Sequence, residues 1–257
     1  MWKISVDQTG KELKLETVPK RIVSVVPSQT ELLFDLGLED NVLGITKFCV
    51  HPEAWFRTKT RVGGTKTLDI ARIRSLHPDL VIANKEENTR EDVGAISSFC
   101  PVWTSDIHNI TGALEMIREL GMITGKEAEA LELVRQIEMN FTELAVPVRR
   151  AAYLIWKNPY MAAGGDTFIN DMMKAAGLEN VFSGINRYPE VDIEQIRLNE
   201  VEVLLLSSEP YPFKMRDLGE LSDQLPDTKI VLADGEMFSW YGSRMREFPA
   251  YIKGMNW

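Results

Sequence analysis

The chain has 257 residues, of which 44% are hydrophobic and 26% charged, and its formal net charge is -9. This length allows one large domain or two lobes of roughly 110–130 residues, each burying its own core. The acidic balance and the lack of a Lys/Arg block argue against nucleic-acid binding. The sequence contains no run of about 18 apolar residues, so it predicts no membrane-spanning helix.

The first 21 residues, MWKISVDQTGKELKLETVPKR, lack the apolar core and small-residue cleavage site of a secretory signal. The sequence alone therefore leaves open a signal removed beforehand, a cytoplasmic location, or an address carried by a partner. The only two cysteines in the sequence, Cys49 and Cys100, could form one disulfide, but we expect both to be buried, reduced thiols.

The opening segment alternates between apolar and polar residues. Trp2, Ile4 and Val6 precede a turn that contains glycine, and Leu13 and Leu15 follow it. This pattern predicts a β-hairpin at the periphery of the fold.

The first core unit lies in RIVSVVPSQTELLFDLGL. The β-branched run 22–26 predicts a strand buried on both faces. Ser28 and Glu31 have the spacing of a capping box, which predicts a helix start, and Gly37 ends that helix. A strand at 41–46 completes a βαβ unit, so the sheet should be parallel.

The same alternation continues along the chain, interrupted once by a longer helix. Further helices are predicted at 69–76, 91–99, 109–123, 166–176, 192–199, 218–224 and 243–253. Further strands are predicted at 80–83, 102–103, 151–156, 203–206 and 230–232.

The longer helix is predicted over 126–144, which contains no Pro or Gly. Thr124 and Glu127 have capping-box spacing, and Pro147 is expected to end the helix. A helix of this length between two α/β patterns can bridge two lobes or serve as a crossover within one sheet. The periodicity does not choose between these readings.

Several segments, taken in order, resemble the helical-backbone metal receptor superfamily, the class III substrate-binding proteins of cobalamin and iron–siderophore ABC importers. The resemblance lies in RIVSVVPSQTELLFDLG, VGGTKTLDIARIRSLHPDLVIANK, NPYMAAGGDTFINDMMKAAGLENVF and VDIEQIRLNEVEVLLL. It extends from about residue 7 to residue 253. No single motif is diagnostic, but the ordered set is specific for the fold.

The resemblance implies two Rossmann-like α/β lobes with parallel sheets bridged by one long α-helix. The lobes would be 1–123 and 147–257, and the bridge 124–146. The implied function is capture of a metal chelate, such as cobalamin, an iron–siderophore or a haem-like ligand, in the cleft between the lobes, and its delivery to an ABC permease. We expect no intrinsic cofactor, a cobalt or iron chelate as ligand, a monomer, and a periplasmic or cell-surface location.

In this family the cleft walls come from loops that follow the strands, in agreement with the general behaviour of open parallel sheets. Flat amphipathic rings suit a macrocycle or catecholate, and Arg244 could pair with an anionic group, although each ring could instead pack under a loop. Trp240→Ala should weaken ligand capture without lowering the melting temperature. The implied ligand-binding residues are Ser28, Gln29, His51, Trp55, Thr65, Trp156, Tyr160, Met161, Trp240, Tyr241 and Arg244.

Two departures from the family pattern concern ligand identity and docking. The cobalamin-binding member has a Trp in the loop that corresponds to Gly64 and Thr65. That member docks on its permease through one surface Glu per lobe. Glu194 matches the second position, whereas the first falls at Ala71, where the nearby Asp69 would substitute.

The same residues give little support to metal-ion binding or catalysis. The three histidines, His51, His77 and His108, are too scattered for a bare zinc site, although Cys49 and His51 could hold a soft metal. No GxSxG, P-loop or HExxH motif occurs. The sequence therefore predicts a binder rather than an enzyme, with a cytosolic metal-chelate carrier or sensor, or a tetrapyrrole chelatase, as alternatives.

Overall fold

The structure is a computed structural model that describes residues 3–144 and 146–255. Trp2 of the predicted hairpin and Ala145 of the predicted bridge lie outside the described residues. The chain divides into two compact units. The amino-terminal unit comprises Met1–Ile107, Thr111–Gln136 and Tyr241–Arg244; the carboxyl-terminal unit comprises His108–Ile110, Ile137–Trp240 and Met245–Trp257.

The predicted hairpin is present in the amino-terminal unit. Strands β1 (Lys3–Val6) and β2 (Glu12–Leu15) pair antiparallel. Gly10, at φ +86°, lies in the turn between them. Leu13 and Leu15 are buried, as the alternation of the strand requires.

The core of the amino-terminal unit is a parallel sheet of strand order β5-β4-β3-β8-β9. The β-branched run predicted as a two-face-buried strand is its central strand, and Val23 and Val25 are completely buried. The predicted βαβ unit is confirmed, because β3 pairs parallel with both β4 and β8. The elements, in chain order, are β3 (Ile22–Ser24), α1 (Pro27–Asp35), β4 (Val42–Ile45), α2 (Glu53–Thr58), β5 (Thr60–Arg61), β6 (Gly63–Gly64), β7 (Thr67–Leu68), α3 (Ile70–Ser75), β8 (Leu80–Asn84), α4 (Arg90–Ser97) and β9 (Val102–Ser105).

The start of α1 corrects the capping box predicted at Ser28. The N-cap is Val26, without a side-chain hydrogen bond, and Pro27 occupies the first helical position. A proline there is favourable because its φ is already helical and its missing N–H would have no intrahelical partner. Gly37, at φ +72°, follows the helix end as predicted.

The long helix is shorter than the sequence predicts. Thr124 closes α5 (Ile110–Thr124), and its hydroxyl donates to the carbonyl of Leu120 at 2.6 Å, so the second predicted capping box is also wrong. Helix α6 (Glu127–Thr142) then extends for 16 residues, about 24 Å. It passes from the amino-terminal unit into the carboxyl-terminal unit between Gln136 and Ile137.

The carboxyl-terminal unit has a sheet of strand order β13-β11-β10-β14-β15, with β12 also paired to β10. The predicted parallel strands are present, but β11 and β13 add two antiparallel pairings that the sequence did not reveal. The elements, in chain order, are β10 (Arg149–Trp156), β11 (Tyr160–Ala162), α7 (Phe168–Ala175), β12 (Leu178–Asn180), β13 (Glu190–Val191), α8 (Ile193–Leu198), β14 (Val203–Ser207), α9 (Met215–Gln224), β15 (Lys229–Ala233), α10 (Gly235–Ser239) and α11 (Phe248–Gly254).

Two helix predictions in this unit have different outcomes. Asp192 caps α8 through a full capping box with Gln195, as expected. The single helix predicted at 243–253 is instead a 3-10 turn, Ser243–Arg246, followed by α11, in which Pro249 occupies the first turn.

The fold class predicted from the sequence is confirmed: an α/β protein built on two predominantly parallel sheets, with one helix continuing from the first unit into the second. Within residues 3–144 and 146–255, none of the helices combines the length and the apolarity needed to cross a bilayer.

Candidate functional site

A concave pocket of about 510 Å³ lies in the carboxyl-terminal unit, where β14 and β15 end. This volume falls within the range of small-molecule sites. The position also follows the rule that parallel sheets present ligand sites at the carboxyl ends of their strands. Its lining consists of Leu206, Ser208, Glu209, Phe213, Leu232, Ala233, Asp234 and Glu236.

The register of the two strands explains why the pocket forms here. Ser207 and Ala233 are Cα partners at the ends of β14 and β15, so the loops that follow leave the sheet side by side. A Cβ on Gly235 would lie 2.5 Å from Cγ of Glu209 and 2.6 Å from Oγ of Ser207. Glycine is therefore required for the close approach of the two loops.

Glu209 is oriented by the end of α10. One carboxylate oxygen accepts hydrogen bonds from the hydroxyl of Ser239 at 2.7 Å and from Nε1 of Trp240 at 3.1 Å. The Trp240 side chain is only 7% exposed. Trp240 therefore holds a carboxylate of the pocket rather than offering an open ring, and this role is not evident from the sequence.

An aromatic row leads from the pocket to the surface. Phe213, which lines the pocket, lies 4.8 Å from Tyr211 between ring centroids, and Tyr211 lies 5.8 Å from Trp156. Trp156 is 40% exposed, and its contact with ligand stays a prediction. Sequence reasoning missed Tyr211 and Phe213, although the segment EPYPFK after a buried strand was an available signal.

Tyr160 and Met161 lie on β11, next to the end of β10. Both side chains are half-buried, and Tyr160 also packs against the hydrophobic core of the unit. Burial raises the pKa of the Tyr160 phenol. These residues are close to Trp156 in the sheet, because Met161 and Trp156 are Cα partners.

In the amino-terminal unit, apolar side chains are exposed where β4 ends. Phe48 and Val50 are 51% and 39% exposed, and His51 next to them is half-buried. Gly64 lies against this loop, since a Cβ there would be 3.2 Å from the Phe48 ring. Thr65 is buried, and its carbonyl accepts a hydrogen bond from Asn88 at 3.0 Å.

Behind these loops lies a buried polar network that involves Ser28, Gln29 and Tyr241. The side-chain amide of Gln29 donates to the hydroxyl of Ser105, and Gln29 has no exposed surface. The Tyr241 hydroxyl forms hydrogen bonds with Ser28 and Ser105, while burial raises its pKa well above the usual value. In this arrangement Gln29 supports the network, and its contact with ligand stays a prediction.

Arg244 is engaged within the protein. Its guanidinium donates to both oxygens of Glu31, at 2.9 and 2.6 Å. The positive charge that the sequence offered to an anionic ligand is therefore already matched by a carboxylate. Burial raises the pKa of Glu31, the contact with Arg244 lowers it, and His51 lowers it further.

Trp55 is completely buried. It lies on α2 with 0% exposure and packs edge-on against Phe34, with ring centroids 5.4 Å apart. The ammonium of Lys59 lies 5.1 Å from the centroid of its ring. Trp55 therefore packs in the core of the amino-terminal unit, and its contact with ligand stays a prediction.

The described residues contain no group of three or more His, Cys, Asp or Glu side chains placed to hold a metal ion. Both cysteines are free and buried. The Cys49 sulfur lies 3.1 Å from the hydroxyls of Thr30 and Thr46, while burial raises the pKa of Cys100 to about 12. These are the properties of structural thiols rather than of metal ligands.

The two expected docking residues occupy helix starts. Asp69 caps α3 by accepting a hydrogen bond from the Arg72 amide at 2.9 Å. Glu194 lies in the first turn of α8 and pairs with Arg197 at 2.6 Å. Both carboxylates are substantially exposed, with side-chain exposures of 42% and 61%.

This combination of two α/β units and a pocket at the strand ends is that of a substrate-binding protein. The chain belongs to the periplasmic binding protein family, whose profile it matches over residues 22–227. It is 24% identical over 203 residues to the vitamin B12-binding protein of Vibrio vulnificus, covering 76% of this chain and 74% of that protein. The family consists of binding proteins rather than enzymes.

Solved structures show the same fold. A periplasmic haem-binding protein from Pseudomonas aeruginosa superposes with a TM-score of 0.79 at 17% identity, covering 91% of each chain. A possible iron-binding, periplasmic solute-binding protein from Staphylococcus epidermidis also gives a TM-score of 0.79, at 20% identity, covering 92% of this chain and 98% of the other.

Proposed function

We propose that this chain is the substrate-binding subunit of an ABC importer and that it captures a metal chelate. The observation that carries the proposal is the 510 Å³ pocket at the ends of β14 and β15, reached by a row of three aromatic side chains. Large flat rings beside a concave site suit a macrocyclic or planar chelate. Relatives named for vitamin B12 and haem support this ligand class.

The amino-terminal unit contributes to the same function in this proposal. Phe48 and Val50 expose apolar surface at the carboxyl end of β4, next to His51 and Thr65. Exposed apolar side chains grouped in this way are typical of binding surfaces. We therefore propose ligand contact for these loops, and we propose 1–123 and 147–257 as the lobes with 124–146 as their connection.

Asp69 and Glu194 would contact the permease, one from each unit. Their exposure permits this role, and their ion pairs with Arg72 and Arg197 are the weak, exposed type that a partner can displace. The location that accompanies this function is outside the cytoplasmic membrane, in the periplasm or at the cell surface. A monomer suffices for delivery, and the metal arrives within the ligand rather than as a cofactor.

Titration of the purified protein with chelates, followed by tryptophan fluorescence, tests the proposal. Cyanocobalamin, cobinamide, ferrichrome, ferrioxamine B, ferric enterobactin and haemin cover the relevant chelate classes. We expect saturable quenching by at least one of them, because Trp156 is exposed and its ring neighbours lead to the pocket. Recovery of the chelate unchanged would show that it is captured rather than turned over. Absence of quenching by all six chelates would contradict the proposal.

A further inference from the structure

We infer that the pocket at the ends of β14 and β15 receives a neutral or cationic part of its ligand. The chelate it selects would carry amides or amines at its periphery rather than carboxylates. This inference rests on the proposed function and narrows its ligand class. The pocket, with its lining, lies entirely in the carboxyl-terminal unit.

The charged side chains of the lining are all acidic. Three of its eight residues, Glu209, Asp234 and Glu236, carry carboxylates, and none of the eight is a lysine, arginine or histidine. The others are Ser208 and apolar residues such as Phe213. An anionic group placed here would meet fixed negative charge in a partly desolvated site, whereas a cation or an amide N–H would meet acceptors.

The contacts of two of these carboxylates leave their charge in place. Glu209 accepts hydrogen bonds from the neutral groups of Ser239 and Trp240. Asp234 caps α10 by accepting from the backbone amide of Glu236 at 3.0 Å. Neutral donors orient a carboxylate without cancelling its charge, so both remain acceptors with a defined direction.

Glu209 and Asp234 also lie close to a buried tyrosine. Tyr153 is completely buried, and its hydroxyl donates to Ser207 at 3.0 Å, at the end of β14. Burial is the main cause of its raised pKa, and the charges of Glu209 and Asp234 raise that pKa further. The negative charges of Glu209 and Asp234 thus both act on the phenol of Tyr153, next to the end of β14.

A lysine on a neighbouring loop is already balanced. The ammonium of Lys157, which follows β10, lies 2.6 Å from a carboxylate oxygen of Asp217 and 2.6 Å from one of Glu220. It therefore does not present an unmatched positive charge to an anionic ligand. The aromatic row of Phe213, Tyr211 and Trp156 adds ring faces that attract cations rather than anions.

Chelate pairs that share a scaffold and differ chiefly in peripheral charge provide the test. Cobinamide carries amides where cobyrinic acid carries carboxylates on the same corrin, and ferrioxamine B carries an amine that its N-succinyl derivative replaces with a carboxylate. For whichever of the two scaffolds binds, corrin or ferrioxamine, we expect the amide or amine form to bind at least about tenfold more tightly than the carboxylate form. Isothermal titration calorimetry measures the ratio.

Variants connect that ratio to the pocket. Glu209→Gln combined with Glu236→Gln should reduce the preference several-fold, because glutamine keeps the acceptor oxygen and removes the charge. If the double variant has a lowered melting temperature, Glu236→Gln alone is used to test whether the preference is reduced. Glu179→Gln is the matched control, because this exposed residue on β12 is the Cα partner of Arg150, near the opposite end of β10 from the pocket, and should leave the ratio unchanged.

The outcomes separate the inference from the proposed function. Equal or tighter binding of the carboxylate forms, a ratio that survives the double substitution, or binding of haemin or ferric enterobactin alone would overturn the inference while the capture function stands. If neither matched pair nor haemin, ferrichrome, cyanocobalamin or ferric enterobactin binds, the proposed function fails, and the inference fails with it.

Discussion

The guanidinium of Arg244 donates two hydrogen bonds to the carboxylate of Glu31, a residue 213 positions earlier in the chain. The two side chains are only 12% and 18% exposed. The pair fixes the segment Tyr241–Arg244 to α1, within the amino-terminal unit. A two-point, mostly buried ion pair is more strongly coupled than a surface pair.

Arg244→Met should lower the free energy of unfolding by about 2 kcal/mol, because the carboxylate of Glu31 is left with its charge in a mostly buried place. Urea unfolding at neutral pH measures this. The matched control is Arg57→Met, whose own side chain and partner Glu53 are each 73% exposed, with an expected loss of about 0.5 kcal/mol or less. Equal losses in the two variants would show that the pair of Arg244 and Glu31 stabilises the fold no more than an exposed ion pair.

The pH dependence of this site has a definite sign. Burial raises the pKa of Glu31 in the folded state above its ordinary value of 4.5. The folded protein therefore holds this proton more tightly, and the contribution of Glu31 to stability decreases as the pH rises through and above 4.5. The stability of the native chain relative to Glu31→Gln should be highest near pH 4 and fall towards pH 7. A flat or rising difference in urea titrations would refute this.

Trp240→Ala should lower the free energy of unfolding by about 3 kcal/mol, since the ring is 7% exposed and its Nε1 bonds to Glu209. This differs from the sequence-based expectation of an unchanged melting temperature. Calorimetric or chemical unfolding decides between them. Trp240→Phe, which keeps most of the ring and loses the hydrogen bond, should cost about 1 kcal/mol.

Trp156→Ala should weaken chelate binding about tenfold or more while lowering the free energy of unfolding by about 1 kcal/mol or less, because the ring is 40% exposed. Fluorescence cannot report on this variant equally well, so calorimetry is the appropriate measurement. Val148→Ala is the control, an exposed apolar residue just before the start of β10. Unchanged affinity in Trp156→Ala would exclude the aromatic row from the site.

Most of the fold could be predicted because it rests on hydrophobic pattern. The strands Ile22–Ser24 and Val203–Ser207 are apolar except for the serine that ends each of them, and every residue in them is buried, which is the signature of central parallel strands. The short strands Tyr160–Ala162 and Glu190–Val191 have no such run. They form through pairing with a neighbour, which a single sequence does not reveal.

The capping boxes show where local pattern misleads. Asp192 has the spacing and forms the cap. Ser28 has the spacing but follows a proline that already occupies the first helical position, so the serine lies inside the helix and bonds Tyr241 instead. Two signals competed, and the geometry of the proline decided the helix start.

The candidate site was predictable only in part. The expectation that loops after buried strands line the site led to Trp156 and Tyr160, which the structure places at the end of β10 and the start of β11, and their contact with ligand stays a prediction. The same reasoning could not distinguish Trp55, a core residue, from an exposed ring, because exposure depends on the packing of α2. Nor could it show that Arg244 is matched by Glu31, since nothing in a sequence indicates which residues 213 positions apart will meet.

Because the amino-terminal unit includes Tyr241–Arg244, it is not a contiguous stretch of the gene. During synthesis, α1 emerges from the ribosome long before the arginine that its glutamate will bind. Glu31 must remain without this partner until residue 244 has been translated. A fragment ending at α6 would leave that carboxylate permanently without its cation, whereas a circular permutant that joins 241–244 to the amino-terminal segments would restore it.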